Sequence, residues 1–214
     1  MNHLAAPGTD GVVLVVDDDL SVREGLEALL RAAGLPCALY ASAADFLAAA
    51  RPDAPCCVVL DVHLPESSGL DVAAELRRRG DAIPIIFITG RGTIPMSVQA
   101  MKLGAVEFLP KPFGEETLLQ AIDQAMALDR AARAARADDR ALHERLARLT
   151  PREREVLALV VDGLLSKEIA LQLGTALQTV KQHRSRIMQK LGARSVADLM
   201  RMVRGDTKVR HTIV

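Results

Sequence analysis

The sequence has little cysteine: Cys37, Cys56 and Cys57, an odd number with two of them adjacent. That is poor geometry for a mutual disulfide. With all three in or beside apolar runs, the expectation is buried, reduced thiols in a cytosolic protein. No apolar stretch approaches the length of a membrane span, and no N-terminal basic segment is followed by an apolar one. A cytoplasmic chain with no membrane partner is therefore expected. Net charge is also absent, because 27 Lys+Arg balance 27 Asp+Glu. That balance conceals an asymmetry. Up to Ala125 there are 9 Lys+Arg against 17 Asp+Glu, and from Met126 onward 18 against 10. An acidic half followed by a basic half points to two domains with different partners, the second suited to a polyanion.

What the acidic half does have is polar residues at the ends of apolar runs. Asp17, Asp18 and Asp19 follow Val12-Val13-Leu14-Val15-Val16, and Asp61 follows Cys57-Val58-Val59-Leu60. Thr89 ends Ile85-Ile86-Phe87-Ile88, and Lys111 follows Val106-Glu107-Phe108-Leu109-Pro110. Such runs read as buried parallel strands over 12–17, 37–41, 57–61, 83–89 and 105–110, alternating with helices over 21–33, 42–50, 69–79, 94–103 and from 114 onward. The alternation predicts a doubly wound α/β fold, a five-stranded parallel sheet in the order 2-1-3-4-5, whose ligands collect at the carboxyl ends of the strands.

Carboxylates, a hydroxyl and an ammonium gathered there suit a divalent cation and a phosphoryl group. Mg²⁺ takes one or two carboxylates plus other oxygens, which Asp18 and Asp61 supply, with Asp17 acting directly or through water. A carboxylate can also accept the phosphoryl group itself, and Asp61, alone after a long buried strand, is the better nucleophile. Lys111 and Thr89 would bind phosphoryl oxygens. A cis Lys111–Pro112 peptide would aim the ammonium inward. Singly, each residue has a blander reading: Asp17 to Asp19 as caps of the helix near Ser21, Asp61 as a loop acid, Thr89-Gly90 as a turn, Lys111 as a solvated lysine. Four of them at successive strand ends argue for a shared site.

Residues 126–148 lack Gly, Pro and aromatics and are rich in Ala and Arg. This composition favours helix but offers little apolar face, so a solvated helical linker over 128–148 is expected, with a flexible linker as the alternative. The rest is short and helical in pattern. Thr150-Pro151-Arg152-Glu153 is a capping box with Pro at the first helical position, and further helices are expected over about 166–173, 177–191 and 195–203. On the third of the four, Val180, Ile187 and Leu191 define a buried face, with His183 alongside as a packing or backbone-bonded residue rather than a base reader. Gln182, Ser185, Arg186 and Gln189 point away, with Lys181 on the flank. From Leu149 onward 12 Lys+Arg face 6 Asp+Glu, which suits counterion-release binding to a duplex. A helical interaction domain with a merely solvated basic face is the alternative.

The stretches Val16-Asp17-Asp18-Asp19, Leu60-Asp61-Val62-His63-Leu64-Pro65, Ser68-Gly69-Leu70-Asp71, Ile88-Thr89-Gly90 and Phe108-Leu109-Pro110-Lys111-Pro112-Phe113 resemble the receiver domain of two-component response regulators. Ile94-Pro95-Met96-Ser97-Val98-Gln99-Ala100-Met101-Lys102 resembles the FixJ branch of the NarL/FixJ family. Leu149-Thr150-Pro151-Arg152-Glu153, Lys167-Glu168-Ile169-Ala170 and Thr179-Val180-Lys181-Gln182-His183-Arg184 resemble the LuxR-type helix-turn-helix domain. The resemblance implies a receiver over 11–127, a linker over 128–148, a helix-turn-helix domain over 149–204 and a frayed tail over 205–214. It implies that Asp61 takes phosphate from a sensor histidine kinase, with Mg²⁺ held by Asp17 or Asp18, Asp61 and the His63 backbone carbonyl. Thr89 and Phe108 would form the switch, and phosphorylation would pair two copies through the 94–127 face.

The same resemblance implies a transcriptional regulator rather than an enzyme, with double-stranded DNA as partner and RNA polymerase admitted as a further one. Its DNA contacts fall on Thr179, Lys181, Gln182, Arg184, Ser185, Arg186, Gln189 and Lys190. The chain departs from the family pattern at Arg91 and Thr93, where His and Asp are usual, and at Glu66 and Ser67. Ala176 stands where Ser usually caps the recognition helix, leaving Thr175 as a substitute with a shifted boundary. Ser166 replaces the usual Asn and would still cap. Two other classes remain open: an aspartyl-phosphate phosphatase or phosphotransferase, and a phosphorylated interaction module. Enzymes of the haloacid dehalogenase type carry a second Asp two residues after the nucleophile, where this chain has His63.

Overall fold

Five short apolar runs become five parallel strands in a computed structural model that describes residues 11–204. The elements are β1 (Val12–Val16), α1 (Leu20–Ala32), β2 (Cys37–Tyr40), α2 (Ala43–Ala48), β3 (Cys56–Asp61), α3 (Gly69–Arg78), β4 (Ile85–Thr89), α4 (Ile94–Lys102) and β5 (Glu107–Pro110). They are followed by α5 (Glu115–Ala147), α6 (Pro151–Val161), α7 (Ser166–Gln172), α8 (Leu177–Leu191) and α9 (Val196–Arg204). The sheet has the expected order β2-β1-β3-β4-β5. The expected tail over 205–214 lies outside the described residues. Among the described residues no helix is long and apolar enough to cross a membrane.

The chain divides into two units, one ending at Arg133 and the other starting at Ala134. In the first, side chains alternate across the sheet as the period of a strand requires. Leu14, Val16, Val58, Leu60 and Phe87 join Phe46, Leu70, Leu76 and Ala100 on one face. Val13, Val15, Cys57, Val59, Ile86 and Ile88 join Leu26, Leu30, Leu118, Ile122 and Met126 on the other. Every residue of β3 and β4 is buried, which is why those runs read as continuously apolar rather than alternating.

The register carries all the polar strand ends to one edge. Val16 pairs with Leu60, Asp61 with Ile88 and Thr89 with Pro110. Asp17, Asp61, Thr89 and Lys111 are therefore brought level without any special loop.

Helix α5 contains no Gly or Pro and runs unbroken from Glu115 to Ala147. Its start supplies Leu118, Ala121, Ile122, Ala125 and Met126 to the sheet core, and its end supplies Leu142 and Leu146 to the core of the second unit. Asp129 and Arg133, residues the sequence assigns to a linker, bond to the first residue of β3 and to the segment ahead of it. The buried Asp129 Oδ2 accepts from Cys56 N at 2.9 Å and Arg133 Nε at 2.7 Å, and Arg133 Nη2 donates to Pro52 O at 3.1 Å. Residues 134–140 are exposed on every side.

The second unit packs Leu142, Leu146, Leu149, Val156, Leu157, Val160, Ile169, Val180, Ile187, Leu191 and Leu199 into one cluster. Its starting cap forms as the sequence predicts: Thr150 Oγ1 accepts from Glu153 N at 3.3 Å, and Glu153 Oε2 accepts from Thr150 N at 2.8 Å. Glu153 is only 2% exposed. Lys190 Nζ compensates it, donating to Glu153 Oε2 at 2.6 Å and to Arg148 O at 3.1 Å.

Two expected caps are corrected. Ser166 is the first residue of α7 rather than its cap. The cap is Leu165, whose N–H is taken by Glu168 Oε2 at 2.6 Å, while Ser166 Oγ accepts from Arg184 Nη1 at 2.8 Å. Nor does Thr175 substitute at α8, which begins after Ala176 with no side-chain cap.

The extended Ala176 backbone, φ −71° and ψ 143°, is the geometry a capping Ser adopts. Ala176→Ser should therefore stabilise the chain by about 1 kcal/mol, read from the urea midpoint. An unchanged midpoint would show that the free N–H groups gain nothing from a cap there.

Burial, the largest influence, pushes the Glu153 carboxyl up. The Lys190 ammonium and the Thr150 N–H outweigh it and hold the group below its usual range. A folded value below the unfolded one gives stability that is complete above the unfolded pKa of about 4.3 and is lost as pH falls through the folded value. Glu153→Gln should flatten the acid limb of the urea-midpoint profile. An acid limb identical to that of the unaltered chain contradicts this role.

Candidate phosphoryl site and nucleic-acid interface

The residues at the strand ends form one connected polar cluster. Lys111 Nζ donates to Asp17 Oδ2 at 2.6 Å and to Asp61 Oδ1 at 2.9 Å. Asp17 is 1% and Asp61 5% exposed, so both carboxylates have left bulk water. Their remaining oxygens are held by backbone: Asp17 Oδ1 accepts from Asp19 N at 2.9 Å, and Asp61 Oδ2 from His63 N at 2.6 Å. The Lys111–Pro112 peptide is cis. Arg23, a residue the sequence reading did not single out, donates from Nη1 to Asp17 O at 2.7 Å.

Electrostatics follow from this burial. Desolvation, the largest cause, raises the Asp17 carboxyl above its ordinary value, and the Asp61 charge adds to that, against the bonds from Lys111 and Asp19. Desolvation alone would lower the Lys111 ammonium, but the bonds to Asp17 and Asp61 carry it above its usual value. Two carboxylates and one ammonium leave formal negative charge in a poorly solvated place. That is the setting in which a divalent cation is favourable.

Asp18, by contrast, is exposed. It lines a groove of about 400 Å³ with Val62, His63, Leu64, Pro65, Ser68 and Met96. Among the described residues no three His, Cys, Asp or Glu side chains converge into a metal cage. Mg²⁺ needs only one or two carboxylates beside water and carbonyl oxygens, and Asp17, Asp18 and Asp61 suit that demand. Asp19 has the humbler role: its Oδ1 caps α1 by accepting from Ser21 N at 2.8 Å.

Thr89 is fully buried. Its Oγ1 accepts from Arg91 N at 3.2 Å and lies 3.2 Å from His63 Nδ1. Phe108 is half-buried, its ring centroid 6.4 Å from that of Phe87. Gly92 links it to Thr89, since a Cβ at this position would lie 3.1 Å from Phe108 Cε1 and 3.2 Å from Thr89 Cγ2. Neither Gly92 nor the His63 side chain stands out by residue pattern, because their importance comes from proximity across the fold. Arg91 is exposed, and its backbone rather than its guanidinium touches Thr89. Thr93 caps α4, accepting from Met96 N at 3.4 Å.

In the second unit, α8 buries Val180, Ile187 and Leu191. Lys181, Gln182, Ser185, Arg186 and Gln189 are exposed, and Thr179 is half-buried at the start of the same helix. Amide, hydroxyl, guanidinium and ammonium groups on one exposed helix suit base edges and phosphates in a major groove. Arg184 and Lys190 are placed differently, being tied to Ser166 and to Glu153 with Arg148. The half-buried His183 keeps a buried Nδ1 with no partner among the described residues.

Comparison with known proteins agrees with both halves. Residues 13–123 match the response regulator receiver domain, and residues 147–203 match the bacterial regulatory proteins of the luxR family. Neither is an enzymatic family. Nodulation protein W of Bradyrhizobium diazoefficiens is 48% identical, covering 91% of this chain and 86% of its own. The transcriptional regulatory protein FixJ of Azorhizobium caulinodans is 42% identical, covering 89% and 90%. Among solved structures, response regulator StyR is similar with a TM-score of 0.83 at 48% identity, over 92% of this chain and 100% of that one. With its strand order of 2-1-3-4-5, its buried carboxylates joined by a lysine, both family matches and these relatives, the chain belongs to the NarL/FixJ family of response regulators, with a receiver domain followed by a LuxR-type DNA-binding domain.

Proposed function

We propose that Asp61 is the phosphoacceptor, taking a phosphoryl group from a sensor histidine kinase. The observation that carries this reading is the bridge from Lys111 Nζ to the buried carboxylates of Asp17 and Asp61. An Asp61 oxygen attacks phosphorus, the bond between phosphorus and the donor breaks, and the leaving group departs with its electron pair. The protein's task is to position the donor and offset charge. Lys111 is within reach of Asp61 and can follow a phosphoryl oxygen there, while the Thr89 hydroxyl serves another. Mg²⁺, held by Asp17 or Asp18, Asp61 and the His63 backbone carbonyl, would supply charge neutralisation.

We assign the output to two surfaces. On α4, Ile94, Val98 and Met101 are 81%, 47% and 52% exposed, at a spacing that aligns them on one helix face. An exposed apolar stripe of this kind suits pairing with a second copy through the 94–127 face once Thr89 and Phe108 rearrange. A pair of receivers brings two DNA-binding domains to a repeated half-site. Of the candidate contacts on α8, Thr179, Lys181, Gln182, Ser185, Arg186 and Gln189 remain assigned to DNA. Arg184 and Lys190 are assigned to holding α8 in place. For the domains, we take the receiver as 11–127 with its α5 extension anchored by Asp129 and Arg133, the linker as ending at 148, and the DNA-binding domain as 149–204.

Asp61→Asn should stay folded and gain no phosphoryl mass when treated with acetyl phosphate and Mg²⁺. Labelling of that variant equal to the unaltered chain contradicts the assignment. Lys181→Ala should weaken duplex binding and reduce the slope of log affinity against log salt by about 0.9, the value of one phosphate contact. Fluorescence anisotropy over a salt series measures it, and an unchanged slope and affinity remove Lys181 from the interface.

A further inference from the structure

One side chain at the phosphoryl pocket has no role in the function proposed above. His63 stands two residues after Asp61, and only its backbone has so far been used. Its Nδ1 lies 3.2 Å from Thr89 Oγ1. The other partner of that oxygen, among the described residues, is the Arg91 N–H, at 3.2 Å. A threonine hydroxyl has one hydrogen and two lone pairs. Arg91 occupies one lone pair, which leaves the hydrogen and the second lone pair. In the tautomer whose Nδ1 carries no proton, the imidazole is the acceptor within reach of that hydrogen. In the phosphorylated protein the same hydrogen is wanted by a phosphoryl oxygen, and one hydrogen does not fully serve both.

We infer that the His63 imidazole, accepting through Nδ1, is a latch on the Thr89 hydroxyl: a positioning residue that holds the unphosphorylated pocket at rest and competes with the phosphoryl group for one hydrogen. The inference rests on the reading of Asp61 as phosphoacceptor. The latch has a fixed side and a movable side. The His63 backbone is tied to the nucleophile through its N–H on Asp61 Oδ2 at 2.6 Å and to Ser68 by a β-bridge. The Thr89 backbone is equally fixed, in register with Pro110 and accepting from Lys111 N at 2.6 Å. The freedom that remains is rotation of Thr89 about χ1, which carries hydroxyl and methyl together around Cβ from one staggered position to the next.

That rotation is where the latch meets the switch. The Thr89 methyl and the Phe108 ring both crowd the place where Gly92 has no Cβ, at 3.2 and 3.1 Å from it. Releasing the hydroxyl from His63 moves the methyl on the side that Phe108 faces. His63 is exposed, so its replacement leaves the sheet core untouched. The latch therefore sets how readily phosphorylation is converted into a change at Phe108, and it does so without contacting the phosphoryl group.

The test uses the full-length chain with acetyl phosphate and Mg²⁺, reading the initial rate of phosphoryl mass gain. His63→Leu keeps bulk and removes the acceptor, while His63→Asn offers an amide oxygen in its place. Each is made beside Thr89 and beside Thr89→Val. His63→Leu should raise the rate by about two- to tenfold, the range of one hydrogen bond, and His63→Asn should stay near the unaltered chain. Beside Thr89→Val, the two His63 variants and His63 itself should give one rate. No effect of His63→Leu, or the same effect in both Thr89 backgrounds, overturns the latch while leaving Asp61 as phosphoacceptor. Labelling of Asp61→Asn overturns the phosphoacceptor and the latch together.

Discussion

The Lys111 ammonium lies between two carboxylates that the fold has taken out of water, 2.6 Å from Asp17 and 2.9 Å from Asp61, and the rest of the receiver is arranged around that contact. Each of the three groups belongs to a different strand end, so the contact exists only when β1, β3 and β5 hold their places in the sheet. The aliphatic layers on both faces of β3 and β4 enforce that placement. A buried ion cluster is not a strong source of stability, because desolvation offsets most of the attraction. Its value here is as stored negative charge, incompletely neutralised, in a place from which water is largely excluded. Both the proposed metal and the proposed phosphoryl chemistry draw on that imbalance.

Burial also separates structural from interactive charge in the second unit. Arg145, Arg184 and Lys190 donate to Leu191 O, Ser166 Oγ and the Glu153 carboxylate, so these three cations hold α8 against its neighbours. Lys181 and Arg186 remain exposed on the same helix. A net positive charge for the whole segment overstates what a duplex can meet, since part of it is consumed internally. Side chains that orient α8 also act on its exposed face indirectly, and removing one should disturb affinity through folding rather than through contact.

The architecture was legible because it rests on local pattern. Alternating apolar runs and the Thr150–Glu153 box each encode their structure within a few residues, and the strand order fits the α/β alternation. The strand-end residues were legible for the same reason: register alone brings Asp17, Asp61, Thr89 and Lys111 to one edge. What escaped the sequence depends on distance across the fold. Glu153 with Lys190, Ser166 with Arg184, Asp129 with Cys56 and His63 with Thr89 are far apart in sequence and carry no periodic signal. Ser166 is instructive, because a hydroxyl at a helix start reads as a cap until the Arg184 guanidinium is seen to occupy it. Helix α5 shows the opposite limit, where composition predicts helix but gives no hint that Asp129 binds the first residue of β3 and Arg133 the segment ahead of it.

The central claim is that charge gathered at one sheet edge controls a basic helix elsewhere in the chain. It is tested most directly by treating one sample with acetyl phosphate and Mg²⁺, then measuring phosphoryl mass and duplex affinity on that sample. The account predicts that a single phosphoryl group appears and that affinity for a cognate duplex rises with the phosphorylated fraction. A protein that takes up the phosphoryl group fully while its duplex affinity stays constant would contradict it.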